Sequence, residues 1–203
     1  MKNFKLTSES KINFLGKKLF RIECTVDFKY AKKGDKGGWV EKEDNISGNA
    51  WVYGDAEVYG NAKVYGNAWV YGNAKVYGDA KVSGNAWVYG NAWVSGNAKV
   101  YGDAKVSGNA WVYGDAKVYG NAKVYGNAEV SGNAKSTKKV FTLNFIYSMT
   151  VTDNHIKYGC EQRTFEEWEK YLNSNEVIET DRNTEKFKII EMALRLAIEN
   201  NKL

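Results

Sequence analysis

A mainly β fold, built as a coil of short parallel strands with small caps at both ends, is what this sequence predicts. Three observations carry that prediction. The chain has 203 residues, 43% hydrophobic and 26% charged, which is the balance of a globular protein and not of a disordered tail. Proline is absent, where average usage of ~5% would give about ten. Fifteen of the twenty glycines recur at an interval of six residues, from Gly48 to Gly132.

The N-terminal element is a hairpin. Residues 19–28 alternate, with Phe20, Ile22, Cys24, Val26 and Phe28 on one side and Arg21, Glu23, Thr25 and Asp27 on the other. That is a half-buried strand, expected to pair with Lys11–Leu15 across the turn Gly16-Lys17-Lys18. An open coil exposes apolar interior and unpaired backbone at its ends, so this hairpin is the expected cap. Lys32 to Gly38 reads as the linker into the coils, and residues 1–45 as cap plus linker.

From Ile46 to Lys135 the chain is fifteen hexapeptides without insertion: aliphatic, Tyr or Ser, Gly, Asn or Asp, Ala, variable. Strand alternation sends Ala and the aliphatic residue to one face, and the variable residue and Tyr/Ser to the other. Gly adopts corner geometry freely, and Asn and Asp tolerate positive φ better than most residues. A corner every six residues excludes hairpins of ordinary strands but suits three strands per turn. Residues 46–135 then make about five coils rising ~4.8 Å each.

Residues 136–203 form the other end. Val140–Tyr147, Met149–Thr152 and His155–Tyr158 read as strands, with Asp153-Asn154 as a turn. Thr164-Phe165-Glu166-Glu167 is a capping box that opens a short helix through about Leu172. A longer helix follows, from about Arg182 to Asn200, with Phe187, Ile190, Leu194, Ala197 and Ile198 as an apolar stripe for docking on the parent domain or on a partner.

The repeat resembles the hexapeptide-repeat proteins, and the resemblance implies a left-handed parallel β-helix, triangular in section. The flank from Gly37-Gly38-Trp39-Val40 to Ile46-Ser47-Gly48 is similar to the lead-in segment of phage and prophage members of that group. His155–Cys160 followed by Glu166-Glu167-Trp168 is similar to it as well, more weakly. Members of the wider family are commonly trimers, and many are acyltransferases.

Taking every third hexapeptide sorts the outward residues into three faces. The first carries Trp51, Trp69, Trp87, Lys105 and Lys123 beside Tyr53, Tyr71, Tyr89, Ser107 and Tyr125. Its six leading aromatics, at ~150–250 Å² each, exceed the apolar patch a monomer usually exposes. A cover is therefore expected: the C-terminal helix, a second subunit in a dimer or trimer, or a foreign partner. The second face carries Glu57, Lys75, Trp93, Trp111 and Glu129 beside Tyr59, Tyr77, Ser95, Tyr113 and Ser131. The third is a lysine ladder, Lys63, Lys81, Lys99, Lys117 and Lys135, beside Tyr65, Ser83, Tyr101 and Tyr119. It reads either as a solubilising face that blocks sheet stacking or as a strip for an anion: nucleic acid, a nucleotide or an acidic protein. Asp79 and Asp115, two residues before Lys81 and Lys117, are expected to relieve its repulsion. Overall charge is modest for a dedicated nucleic-acid binder, with 29 Lys and Arg against 24 Asp and Glu.

Catalytic chemistry is sparse. One histidine, His155, cannot make a three-histidine zinc site, and the coils lack both a histidine base and an interrupting loop. Cys24 and Cys160 form no C-x-x-C pair and read as reduced thiols. Asn and Asp at the corners suggest stacked side chains or, alternatively, a cation ladder. No apolar run approaches the ~18 residues of a membrane span, and the first residues lack a signal-peptide core. The expectation is a cytoplasmic protein of a bacterial host, without cofactor or metal, that acts by binding a host protein or a polyanionic ligand. Inhibition of a bacterial antiviral defence suits it. A passive assembly module and a hexapeptide-repeat acyltransferase are the alternatives.

Overall fold

The computed structural model describes residues 2–140, 142–144 and 146–201. Its body is a parallel β-solenoid of about five coils, as the repeat predicts. Two-residue strands eighteen positions apart stack in register, such as Trp51 on Trp69 on Trp87 and Lys63 on Lys81 on Lys99. Each coil bonds to the next through its backbone, for example Trp69 N–H to the Ala86 carbonyl at 2.9 Å and Asn67 N–H to that of Gly84 at 2.8 Å. The valines from Val52 to Val130 are fully buried, and the alanines between them line the same narrow interior. Alanine holds its position throughout, and the aliphatic position is valine everywhere except Ile46, which is buried in the same interior.

Corner geometry falls to glycine alone. The repeat glycines have φ of 53–73°, and no other residue type among the described residues has positive φ. The following Asn or Asp therefore contributes through its side chain and not through φ tolerance. Asn73, Asn91 and Asn109 each donate an amide hydrogen bond to the corner of the next coil, at 3.2, 3.1 and 3.1 Å. The corner positions are plain stacks of hydrogen-bonded side chains.

At the N-terminal end, strand β1 (Phe4–Ile12) pairs antiparallel with β2 (Lys18–Cys24), so a hairpin is present, but its first strand lies earlier than the expected Lys11–Leu15 and residues 13–17 form the turn. The expected alternation stops at Cys24: Ile22 and Cys24 are buried, whereas Val26 is exposed. The expected linker is not one. Lys36–Val40 forms β3, which pairs antiparallel with β2 and parallel with Glu57–Val58, so the cap and the solenoid share one sheet. Gly37 and Gly38 make this junction possible. A Cβ at Gly37 would stand 2.5 Å from Ile22 Cγ1, and one at Gly38 2.6 Å from Val52 Cγ1.

Asn45 closes the first coil. It is fully buried, and its amide donates to the carbonyls of Ala62 (2.9 Å) and Gly60 (3.2 Å) while its Oδ1 accepts the Lys42 N–H (3.0 Å). The side chain stands in for backbone donors that another coil below would have supplied. Asn45→Leu, of similar volume, is expected to cost about 2–4 kcal/mol because it leaves buried polar groups unpaired. A urea midpoint within error of wild type would refute this role.

The coil register continues past Lys135: Ser136 lies over Val118 and Val140 over Val124. Beyond it, Thr142–Asn144, Ser148–Val151, His155–Tyr158 and Glu161–Thr164 form an antiparallel sheet. The last of these strands was not anticipated, and Phe141 and Phe145 of the expected 140–147 strand lie outside the described residues. Helix α1 (Phe165–Leu172) begins at the expected capping box, with the Thr164 hydroxyl accepting from Glu167 N–H and the Glu167 carboxylate from Thr164 N–H. Helix α2 (Glu185–Asn201) buries Phe187, Ile190, Leu194, Ala197 and Ile198 against α1 and the C-terminal sheet.

Candidate functional site

The lysine ladder is real in register. Lys63, Lys81, Lys99, Lys117 and Lys135 sit in directly opposed pairs along one parallel sheet. Their backbones cannot do otherwise, because the inward residue beside each lysine, a valine for the first four and the buried Ser136 beside Lys135, fixes which way the lysine points. Among the described residues, none of the five makes an ion pair; Lys63 Nζ donates to the backbone carbonyl of Asp44 at 2.8 Å. Asp79 and Asp115 do not relieve the ladder as expected. Their carboxylates accept amide hydrogen bonds from Asn61 (3.2 Å) and Asn97 (3.0 Å) in the corner stacks, which draws them off the lysine rungs.

The tyrosines beside the ladder are not equivalent. Tyr101 and Tyr119 stack on each other, with ring centroids 5.1 Å apart and planes 6° from parallel, so each has lost one face. Tyr65 lies between Ser47 and Ser83 in the same column and is exposed, with no ring above or below it. It shares an open groove with Lys63, Lys81 and Lys2. The period of eighteen residues, applied to Ser47 and Ser83, is the signal that would have distinguished Tyr65.

The aromatic first face is covered in part by the chain itself, and not by the C-terminal helix. The stretch between β2 and β3 folds over it. Phe28 packs edge-on against Trp51 at 5.6 Å, leaving Trp51 1% exposed, and Tyr30 stacks on Trp69 at 5.1 Å. Helix α2 stays with its own sheet. Higher up, Trp69 meets Trp87 edge-on at 5.5 Å, Tyr71 and Tyr89 stack at 4.9 Å, and the Lys105 ammonium sits 4.4 Å from the Trp87 ring. Tyr53 is exposed. Tyr71, Trp87 and Tyr89 are half-buried, with no segment of the cap over them.

The second face is covered at both ends. The β1–β2 hairpin bends over its lower part, burying Leu19, Trp39 and Tyr59 together and pairing Lys11 with the buried Glu57 carboxylate at 2.9 Å. Its upper part meets the C-terminal sheet: Lys157 pairs with Glu129, and Ser131 and Gln162 exchange hydrogen bonds at 2.6 and 2.9 Å. Each terminal body thus folds over an aromatic-bearing face, while the lysine face is met only at its rims. Lys2 sits at the lower rim, and at the upper one the Asn154 Oδ1 accepts from Lys135 N–H at 2.7 Å.

His155 opens a strand of the C-terminal sheet, directly after Asp153 and Asn154, which hydrogen-bond to the last coil at Lys135 and Thr137. Its Nδ1 is buried without a hydrogen bond, and burial pushes the imidazole below its ordinary value against the opposing pull of Glu167 and Glu166. Both cysteines are free thiols, Cys24 buried and Cys160 exposed. Among the described residues no group of three or more His, Cys, Asp or Glu could hold a metal ion, and no helix is long and apolar enough to cross a membrane.

Comparison with known families places the coils in company. The family model of the YdcK beta solenoid repeat matches residues 56–72 and 80–96, both within the stack of valine rungs. No curated protein matches the chain.

Proposed function

We propose that this β-solenoid acts by binding and not by catalysis, and that its lysine face takes a single-stranded nucleic acid. The observation that carries the reading is a register-matched column of five lysines without carboxylate partners, on the face the caps leave open. Adjacent rungs repel by about 0.9 kcal/mol at the dielectric of water and a spacing of ~4.8 Å. A phosphate chain converts that repulsion into attraction and releases counterions. Tyr65, exposed and with no aromatic ring stacked on it, offers a stacking platform for one base beside Lys63 and Lys81. The coils carry no histidine of their own, which supports the non-enzymatic side of the reading. The likeness of the flanks to phage and prophage proteins extends it to a host-directed role, in which sequestering such a ligand blunts a bacterial defence. Anisotropy of a labelled homopolymeric oligonucleotide tests the binding. The expected result is saturable association at about 50 mM salt, with a logarithmic slope near −3.5 for five contacts at ~0.7 each. No association at that salt would overturn it.

Self-association is a second reading, favoured by the aromatic stretch that the chain leaves uncovered. Exchanging Tyr71, Trp87 and Tyr89 for Ser, Lys and Ser is expected to leave the valine interior intact and to reduce the mass seen by light scattering. A wild-type mass equal to one chain, 22.9 kDa, would end this reading.

A further inference from the structure

Beside the lysines, two residues further along each strand, the third face carries a second column: Ser47, Tyr65, Ser83, Tyr101 and Tyr119. Coil-to-coil hydrogen bonds hold it in register. Tyr65 N–H donates to the Val82 carbonyl at 3.0 Å, Ser83 N–H to that of Val100 at 2.9 Å and Tyr101 N–H to that of Val118 at 2.9 Å. The rungs are thereby fixed ~4.8 Å apart.

Three pairs of tyrosines on consecutive rungs show how such a column arranges its rings. Tyr59 and Tyr77, Tyr71 and Tyr89, and Tyr101 and Tyr119 stack with centroids 5.1, 4.9 and 5.1 Å apart and planes within 6° of parallel. One ring per rung is thus an offset stack. Ser83 leaves its rung without a ring, between Tyr65 below and Tyr101 above. Two rungs separate those tyrosines by ~9.6 Å, so a planar group over Ser83 stands ~4.8 Å from each. That is the separation at which the tyrosine pairs already stack. Tyr101 meets Tyr119 on its far side, and Tyr65 is exposed without an aromatic partner among the described residues.

Charge converges on the same rung. Lys81 and Lys99, beside Ser83 and Tyr101, are exposed, whereas Lys63 and Lys117 are half-buried. On the corner side the Asp103 carboxylate accepts the Asn85 amide at 2.9 Å. The lysine and serine columns lie ~6.6 Å apart along the strand, a gap that a sugar bridges between its base and its phosphate.

We propose that the Ser83 rung seats one nucleobase, inserted between Tyr65 and Tyr101, with the adjoining phosphates on Lys81 and Lys99. This seat depends on the lysine face being a single-strand strip, and it adds a preference for purines. Two fused rings cover more of both tyrosines than a pyrimidine does, and stacking of this kind needs no hydrogen-bond readout.

The probes are six-residue chains of equal charge, followed by anisotropy on the full chain at about 50 mM salt: oligodeoxyadenylate, oligodeoxythymidylate and a sugar–phosphate chain without bases. Adenylate is expected to bind about tenfold tighter than the baseless chain, the worth of one stacked base, with thymidylate between them. Ser83→Tyr completes the column. Tyrosine holds this position in ten of the fifteen hexapeptides, so the variant is expected to fold and its melting temperature not to fall. It is expected to bring adenylate down to the level of the baseless chain, whose own affinity stays unchanged. Ser95→Tyr, the same exchange between Tyr77 and Tyr113 on the second face, is expected to leave all three chains as in wild type. Thymidylate or the baseless chain binding as tightly as adenylate would overturn the seat and leave the strip standing. So would an adenylate advantage that survives Ser83→Tyr, or one that Ser95→Tyr removes equally. Failure of all three chains to bind would overturn the strip and the seat together.

Discussion

Replacing Lys81, Lys99 and Lys117 together by Gln is expected to flatten the salt dependence of oligonucleotide binding by about 2 logarithmic units, at ~0.7 per lost phosphate contact. A slope change of 2 amounts to about a hundredfold in affinity per decade of salt. The three residues stand on consecutive rungs, so one exchange removes the middle of the strip and separates Lys63 from Lys135. Lys75, Lys105 and Lys123 serve as the control, and the structure makes them a discriminating one. Lys75 lies 4.2 Å from the Phe14 ring and Lys105 4.4 Å from that of Trp87, so their charges are held against aromatic faces. The two triple variants are therefore expected to diverge in stability as well as in affinity. Removing ladder lysines relieves repulsion and holds or raises the melting temperature. Removing the control set forfeits cation–π contacts of about 0.5–1 kcal/mol each and lowers it. Both variants carry the same net charge, which separates a local strip from the general attraction of a +5 protein. Equal losses of affinity in the two would return the ladder to a solubility device.

The repeat was legible because its causes are local. Gly at the corner, Val and Ala inside, and a period of six specify a coil without reference to anything distant, and the valine register then sorts every outward residue correctly. What covers those outward residues is not local. Trp51 looks free in its hexapeptide, and its burial depends on Phe28, in a stretch whose apolar alternation reads as a strand. Gly37-Gly38 looks like a flexible linker by composition, yet its lack of side chains serves close approach between β2 and the first coil. Asp79 was placed near Lys81 by sequence distance, but a corner side chain points along the stack, to Asn61 eighteen residues back. Tyr65 is the intermediate case: its isolation follows from Ser47 and Ser83, and the same period that found the ladder could have found it.

Gly84→Ala is expected to destabilise the protein far more than Gly126→Ala, although both glycines have nearly the same backbone, φ 67° and 68°. At either position an L-residue in the left-handed region costs roughly 1–2 kcal/mol. The surroundings differ. A Cβ on Gly84 would meet the backbone nitrogen of Gly102 at 2.9 Å and its carbonyl oxygen at 3.0 Å, whereas one on Gly126 meets nothing within 4 Å. The atoms facing Gly84 are backbone, pinned by coil-to-coil hydrogen bonds such as that from Asn85 N–H to Gly102 O at 2.8 Å, and cannot swing away as a side chain would. The rungs must part locally, at a cost of about 1–3 kcal/mol typical of overpacking. Subtracting the Gly126→Ala effect from the Gly84→Ala effect removes the φ term and leaves the closeness of the corners. That difference is expected to be at least about 1 kcal/mol by chemical denaturation. Gly108→Ala, with the Gly126 nitrogen at 2.9 Å from the new Cβ, is expected to behave as Gly84→Ala does. If all three variants lost the same stability, corner glycine would serve φ alone, and the close stacking of one corner on the next would not be what forbids a side chain there.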